Sequence, residues 1–531
     1  MNYDKFWNII FLSFIACVLF SCQKQTDSSS LHIENMKCEY LDNPLGIDML
    51  SPRLSWQIKT EGRRGEKQTA YRIMVASSLE KLHNEKPDLW DTDNVNSNQL
   101  THIEYQGKPL QSRMQCYWKV MVWDENGQPS PWSKPAFWSM GLLEKSDWSA
   151  QWIGSPEAGT APYYRHSFNL EAVPENALVY LASLGYFELY INGKKVGKEV
   201  LAPAVSNFSK RTYYKTYDVA SYLKKGKNSI GVWMGTGWYS HNLPGIKHHS
   251  PVVRMQLEIP NKDKQRIITD LSWKTKASAR SRIGEWSWGK FGGELVDARL
   301  IDEQWWNSER SINGWQAVVN VETADVPCTT QKCRNNIQLD EIAPVSLVQL
   351  DDTTVVVDFG TNLTGMLKMK FHNLDAGKKI TIHYADLDGR RYALIEGLDY
   401  MPKKEDLAAI PVETEVPEVG SFSCSNDLYN RIHKMVRWTY RALNLGGQTV
   451  DCPHRERLGY GDGQTAIDVG CYNFDASTLY LKWSENWLDE QEEDGLVTVV
   501  APSPHGPKKG PGGGPAWGAM IIVAPWKTYL F

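Results

Sequence analysis

The stretch Ser425-Asn426-Asp427-Leu428-Tyr429-Asn430-Arg431-Ile432-His433-Lys434-Met435-Val436 marks where one kind of chain gives way to another. Leu428, Ile432, Met435, Val436 and then Leu443 recur at helical spacing, with Ser425 or Asn426 placed as an N-cap. A second helical pattern covers residues 464–481, and a short third one covers residues 483–491. Ala516-Trp517-Gly518-Ala519-Met520-Ile521-Ile522-Val523 reads as the middle of a further helix. Helix pairs joined by polar loops predict an all-α toroid or bundle over residues 419–531. No tandem repeat of fixed period accompanies them.

Before this switch the texture is β throughout. Arg53-Leu54-Ser55-Trp56-Gln57-Ile58, Ala70-Tyr71-Arg72-Ile73-Met74-Val75 and Tyr117-Trp118-Lys119-Val120-Met121-Val122-Trp123 alternate or nearly alternate. Short strands with turns between them predict an antiparallel sandwich of immunoglobulin or fibronectin-III type over residues 32–143. Residues 148–335 repeat the texture. There Glu188-Leu189-Tyr190-Ile191 runs into Asn192-Gly193, a hairpin signal. Trp286, Trp288, Trp305, Trp306 and Trp315 cluster after it, and the block reads as a jelly-roll-like sandwich. A third β-sandwich domain is expected over residues 336–418, with strands such as Thr354-Val355-Val356-Val357-Asp358. The predicted protein is therefore multidomain: antiparallel β-sandwiches followed by an incomplete all-α domain.

A length of 531 residues suits three or four domains, and 42% hydrophobic with 23% charged residues is globular composition. The balance of 58 basic against 62 acidic residues shows no basic excess, so a nucleic-acid partner is not expected. The 22 Trp and 24 Tyr can fill β-sandwich cores or present flat apolar faces to sugar rings.

The first residues stand outside the fold. Lys5 precedes an apolar run over residues 6–20 that ends Leu19-Phe20-Ser21-Cys22, with polar residues following. That run has the length of a signal-peptide core and is short for a membrane span. The pattern resembles a bacterial lipoprotein signal: residues 1–21 removed, Cys22 lipidated, residues 22–31 a polar tether. It implies export and membrane attachment through the N-terminal lipid, on the outer membrane or facing the periplasm, with the cell surface as a further location. Of the nine Cys, Cys328 and Cys333 are close enough to pair in an exported loop. No Cys/His set has zinc-like spacing, so no metal and no cofactor are expected.

The densest polar segment is Asp451-Cys452-Pro453-His454-Arg455-Glu456-Arg457-Leu458-Gly459-Tyr460-Gly461-Asp462-Gly463-Gln464. It sets three carboxylates beside two guanidiniums, and its glycines allow tight turns. A carboxyl whose pKa is held high can protonate a leaving oxygen, while neighbours that stay ionised can stabilise a cationic intermediate. Arg can orient both. This is equipment for glycosidic cleavage. A solvated loop with surface ion pairs would have the same composition. A phosphate cradle is disfavoured, because no strand precedes the glycines and no Lys-Ser/Thr follows.

The segment resembles the signature of α-L-rhamnosidases of glycoside hydrolase family 78. Glu39-Tyr40-Leu41-Asp42-Asn43-Pro44-Leu45-Gly46-Ile47-Asp48, Gly293-Glu294-Leu295-Val296-Asp297-Ala298-Arg299, Asp358-Phe359-Gly360-Thr361-Asn362 and Gly512-Gly513-Gly514-Pro515-Ala516-Trp517-Gly518 extend the resemblance over residues 32–531. It implies an (α/α)6-type domain and an inverting reaction on rhamnose-containing glycans or glycosides. By motif position it implies Glu456 as general acid, Asp451 and Asp462 as carboxylates holding the sugar, and Arg455 as an orienting residue. Tyr460, where many relatives carry Trp, would wall the pocket. Trp517 would be a sugar platform or a core residue.

The family's general base is a Glu on later helices, and Glu485, Glu490, Glu492 and Glu493 match no such motif. The expectation is a truncated chain whose activity is weak or absent. A non-catalytic glycan-binding surface lipoprotein is the alternative. The same β modules on a different toroid enzyme, such as a lyase, is a third reading, which the 451–464 signature opposes.

Overall fold

The computed structural model describes residues 29–60, 65–158, 161–240, 245–260, 265–284, 292–307, 309–310, 313–384, 391–450, 459–503 and 514–530. Two compact units emerge. Among the described residues, one holds those up to Pro44 with those of Leu50–Leu110 and Gln115–Trp138; the other holds Leu45–Met49, Gln111–Met114 and those from Ser139 onward.

In the first unit Leu31–Cys38, Arg53–Thr60 and Ile103–Glu104 form one antiparallel sheet. A second sheet is centred on Ala70–Ala76 and Gln115–Trp123. The alternation in the sequence becomes alternation of burial: Cys116, Trp118, Val120 and Val122 all lie inside. Trp56, Trp118 and Trp138 are fully buried, so these indoles are core material. A short helix, α1 (Leu79–His83), is capped by the Ser78 hydroxyl, which accepts the Lys81 N–H. Strand formation begins at Leu31, one residue before the expected domain edge.

The second unit opens with a β-sandwich. Its six-stranded sheet runs in the order Lys194–Val196, Tyr186–Ile191, Gly226–Gly235, Pro162–Leu170, Lys274–Ala277, Gln316–Ala317. The seven-stranded sheet is built around Val252–Glu258, Leu178–Leu184 and Thr212–Asp218, with Ile153–Gly154 and Cys328–Thr330 further out. Ile230 and Val232 of one sheet share a core with Val179, Leu181 and Met255 of the other. Asn192 and Gly193 take φ of 50° and 81° and close the hairpin between Ile191 and Lys194, as their pairing predicts.

Cys328 and Cys333 do not pair. Both thiols are free. Cys328 lies in a strand parallel to Thr212–Asp218, whereas Cys333 is buried against Gly447 on the helical side.

Two smaller sheets follow. Thr354–Asp358 lies between Ser346–Gln349 and Tyr392–Glu396, and Leu407–Thr414 lies between Asn336–Gln338 and Gly365–Met369. Val355, Val357, Ile395 and Ala409 make their common core.

The helical segment starts as the sequence indicates. Helix α2 (Asp427–Leu443) is capped by Asn426, whose side chain accepts the Leu428 N–H at 3.0 Å. The pattern over residues 464–481 is not one helix. A 3-10 turn at Gly461–Ala466 leads into α3 (Ile467–Asn473), and the chain is extended at Phe474 before α4 (Ser477–Asp489). Tertiary pairing overrides the periodicity here. The Asn473 carbonyl accepts from Val419 and Gly420, and Asp475 N–H donates to Pro417. The third pattern belongs to α4, and the run at residues 516–523 divides into α5 (Pro515–Gly518) and α6 (Met520–Leu530). Leu428, Ile432 and Met435 of α2 are exposed, as are Ile522, Trp526 and Tyr529 of α6.

Helix α4 joins the helices to the sandwich through charge. Arg211 holds Asp489 with two bonds of 2.9 Å and lies 3.3 Å from Glu485. Lys332 reaches Glu485 at 2.7 Å, and the Tyr213 hydroxyl donates to it at 3.0 Å. The neighbouring acids push the Arg211 pKa up against its burial. Lys482, fully buried, donates to the Gly446 carbonyl, and desolvation drives its pKa down to about 8. Removing one partner from such a network strands the others. Arg211→Ala is expected to cost about 3 kcal/mol, read as a lowered urea midpoint for the sandwich–helix transition. A midpoint unchanged within error would show that the network contributes nothing to holding the two together.

Candidate functional site

The described part of the 451–464 signature is a short ribbon, Gly459–Tyr460, that runs directly into the 3-10 turn at Gly461–Ala466. Gly459–Tyr460 pairs antiparallel with Val500–Ala501, and the Gly461 N–H continues the pairing to the Val499 carbonyl at 2.9 Å. Beneath the ribbon lies Trp483 of α4, wholly buried, its indole N–H donating to the Ala501 carbonyl at 3.0 Å.

The glycines are there because of what touches them. A methyl group on Gly459 would fall 2.6 Å from the Trp483 ring, and one on Gly463 would fall 2.5 Å from it. One on Gly461 would fall 1.9 Å from the Trp517 carbonyl oxygen. None of the three has positive φ. The backbone does turn tightly at Gly461–Ala466, and the glycines also permit close packing, on the indole below and on the α5 backbone beside.

This packing brings three sequence-singled residues into one neighbourhood. Tyr460 and Asp462 flank Gly461, and Trp517 lies against Gly461 through its backbone. The Gln464 side chain also donates to the Ala516 carbonyl, closing ribbon and α5 together. Tyr460 is half-buried on a cluster of Val205, Phe208, Trp238, Tyr239 and Val500. The sandwich thus supplies apolar backing for the ribbon. Trp517 is 42% exposed, so it is not a buried core residue. Backbone contacts thus bring an exposed indole, a half-buried phenol and a carboxylate close together; such groups can stack on a sugar's C–H face and accept its hydroxyl hydrogens. Asp451, Arg455 and Glu456 lie outside the described residues, as does Cys22. Among the described residues no group of three His, Cys, Asp or Glu could hold a metal ion. No described helix is long and apolar enough to cross a membrane.

Two contributors escaped the sequence reading. Trp483 looked like one more apolar residue of a helix, although its spacing from two glycines hints at a packing partner. Glu490 matches no base motif and stands in an acidic run at a helix end. It is 3% exposed and hydrogen-bonded, and burial pushes its pKa up to about 7.

Comparison with known proteins places these features. Four family models match in chain order: a Rha78A-like N-terminal immunoglobulin domain at residues 33–144, and an α-L-rhamnosidase N-terminal domain at 172–339. A bacterial α-L-rhamnosidase concanavalin-like domain follows at 348–389, then a six-hairpin glycosidase domain at 417–531. The architecture is that of a modular six-hairpin glycoside hydrolase.

An α-L-rhamnosidase of Formosa agariphila is 29% identical, over all of this chain and 64% of its own length. One of Alteromonas sp. is 28% identical, over 92% of this chain and 58% of its own. The solved α-L-rhamnosidase of Dictyoglumus thermophilum superposes with a TM-score of 0.87 at 30% identity, over 95% of this chain and 62% of that one. The Streptomyces avermitilis enzyme, solved with L-rhamnose, shares the fold, with a TM-score of 0.83 at 22% identity over 94% of this chain and 68% of that one. The chain belongs to the bacterial α-L-rhamnosidases of glycoside hydrolase family 78. It spans less than two thirds of the length of the Formosa and Alteromonas relatives.

Gly461→Ala must push α5 off the ribbon. The expected cost is about 1–3 kcal/mol, with faster iodide quenching of tryptophan emission as Trp517 is freed. Unchanged quenching would mean that Trp517 is not held by this contact.

Proposed function

We propose that this protein releases terminal α-L-rhamnose from glycans or glycosides by an inverting acid/base reaction. The observation that carries the reading is the Gly459–Gly463 ribbon locked between Trp483 and the Trp517 turn, in a chain whose modules follow the order of the rhamnosidase family. Glu456 protonates the leaving oxygen. Asp451 and Asp462 grip the sugar and stabilise positive charge as the bond opens, Arg455 orients them, and Tyr460 and Trp517 wall the ring. Inversion also needs a carboxylate that activates water on the far face of the sugar. Glu485 is committed to Arg211 and Lys332, and Glu490 to Asn207 and Ser503, so neither is that base. We further propose export and lipid attachment at Cys22, on the signal-like run before it.

An aryl α-L-rhamnoside tests the chemistry. Glu456→Gln should lower turnover by about 10²-fold or more while L-rhamnose binding survives; equal turnover in the variant overturns the assignment. Binding without release in the unaltered chain would instead favour a glycan-binding lipoprotein. Cys22→Ser should move the protein from the membrane to the soluble fraction, and an unmoved protein refutes the anchor.

A further inference from the structure

We infer that Glu490 is a positioning residue for the candidate site, its buried carboxyl tying the strand that carries the ribbon to the β-sandwich. The inference rests on the rhamnosidase reading of the ribbon and adds to it a residue that no motif singles out.

Glu490 follows the last turn of α4 and is 3% exposed. One oxygen, Oε1, accepts two hydrogen bonds. The first comes from the Asn207 side-chain N–H at 2.9 Å, on a loop of the sandwich. The second comes from the Ser503 backbone N–H, also at 2.9 Å. Ser503 stands two residues after Val500–Ala501, the strand paired with Gly459–Tyr460. The linkage therefore runs from sandwich loop to carboxyl to strand to ribbon, and Val500 and Tyr460 pack together on the sandwich cluster at its end. The Asn207 amide is held in this orientation by its own oxygen, which accepts from the Ser209 N–H and hydroxyl. Without the carboxyl, two buried N–H donors lose their acceptor.

The surroundings make this linkage respond to pH. Desolvation is the main cause raising the Glu490 pKa to about 7, with Asp489 adding to it; the two N–H bonds and Lys210 oppose it. Arg211, the nearest other cation on that loop, is taken up by Asp489 and Glu485. A carboxyl raised in the folded state favours its neutral form. The closed linkage is thus most stable below the ordinary Glu value and weakens as pH rises from about 4.5 to about 7, where the opened form ionises first. Above that range the dependence flattens.

Hydrogen exchange at the Gly461 amide, which bonds Val499, reads the linkage without any assay of activity. Protection in the unaltered protein should fall by about a hundred-fold between pH 4.5 and 7. Glu490→Gln keeps an oxygen acceptor but cannot ionise, so its protection should stay high and flat. Glu490→Ala should give low protection at every pH and weaker L-rhamnose binding, with the Gln variant restoring both. A Gln variant that follows the parent's pH curve, or an Ala variant with full protection, overturns the inference. Should the exchange pattern hold in a protein that binds no L-rhamnose, the linkage stands and the rhamnosidase reading falls.

Discussion

The candidate site depends on one indole. Trp483 is buried on α4, and Gly459 and Gly463 both rest on its ring while its N–H holds the Ala501 carbonyl. That single side chain fixes the height of the ribbon and the strand it pairs with. Once the ribbon is set, Gly461 can meet the backbone of Trp517, and Tyr460 can reach the apolar cluster of the sandwich. A rim built this way is stiff, because moving any part of it opens a void against a large flat ring.

The helix that provides the indole is held by ionic contacts on the sandwich side. Arg211, Lys332 and Tyr213 meet Glu485 and Asp489, and Asn207 meets Glu490. Charges are poor adhesive in water, but here each carboxylate keeps at least two hydrogen bonds or ion contacts, so none is left desolvated and alone. Directional contacts of this kind also set the rotation of α4 about its axis, which apolar packing alone would leave free to adjust. The rotation matters, since it decides whether Trp483 points at the ribbon.

Much of the β architecture was legible in the residues. Near-alternation at Gln115–Trp123 and the Asn192-Gly193 turn are local signals, and local signals survive into the fold. The capped start of α2 at Asn426 is equally local. What could not be read depends on distant partners. Phe474 breaks a helical pattern because Pro417, Val419 and Gly420 take the neighbouring backbone groups. The signature glycines suggested turning, but their need is set by Trp483 and Trp517, one some twenty residues and the other more than fifty residues away. Glu490 sits in an acidic run with no motif of its own; its burial depends on Asn207, nearly three hundred residues earlier, and on the Ser503 N–H. Of the site residues named from the motif, Tyr460, Asp462 and Trp517 share one neighbourhood, while Asp451, Arg455 and Glu456 fall outside the described residues.

The threading of the sandwich has a consequence for biogenesis. Ile153–Gly154 sits between Val252–Glu258 and Val319–Asn320, and Thr212–Asp218 has Cys328–Thr330 at its side. The seven-stranded sheet cannot be completed until its last strand has left the ribosome. At ordinary elongation rates that is roughly ten to thirty-five seconds after its first strand appears. Until that strand is in place the sheet has uncovered edges rich in Val, Leu and Tyr, and open edges of that kind are templates for pairing with other chains.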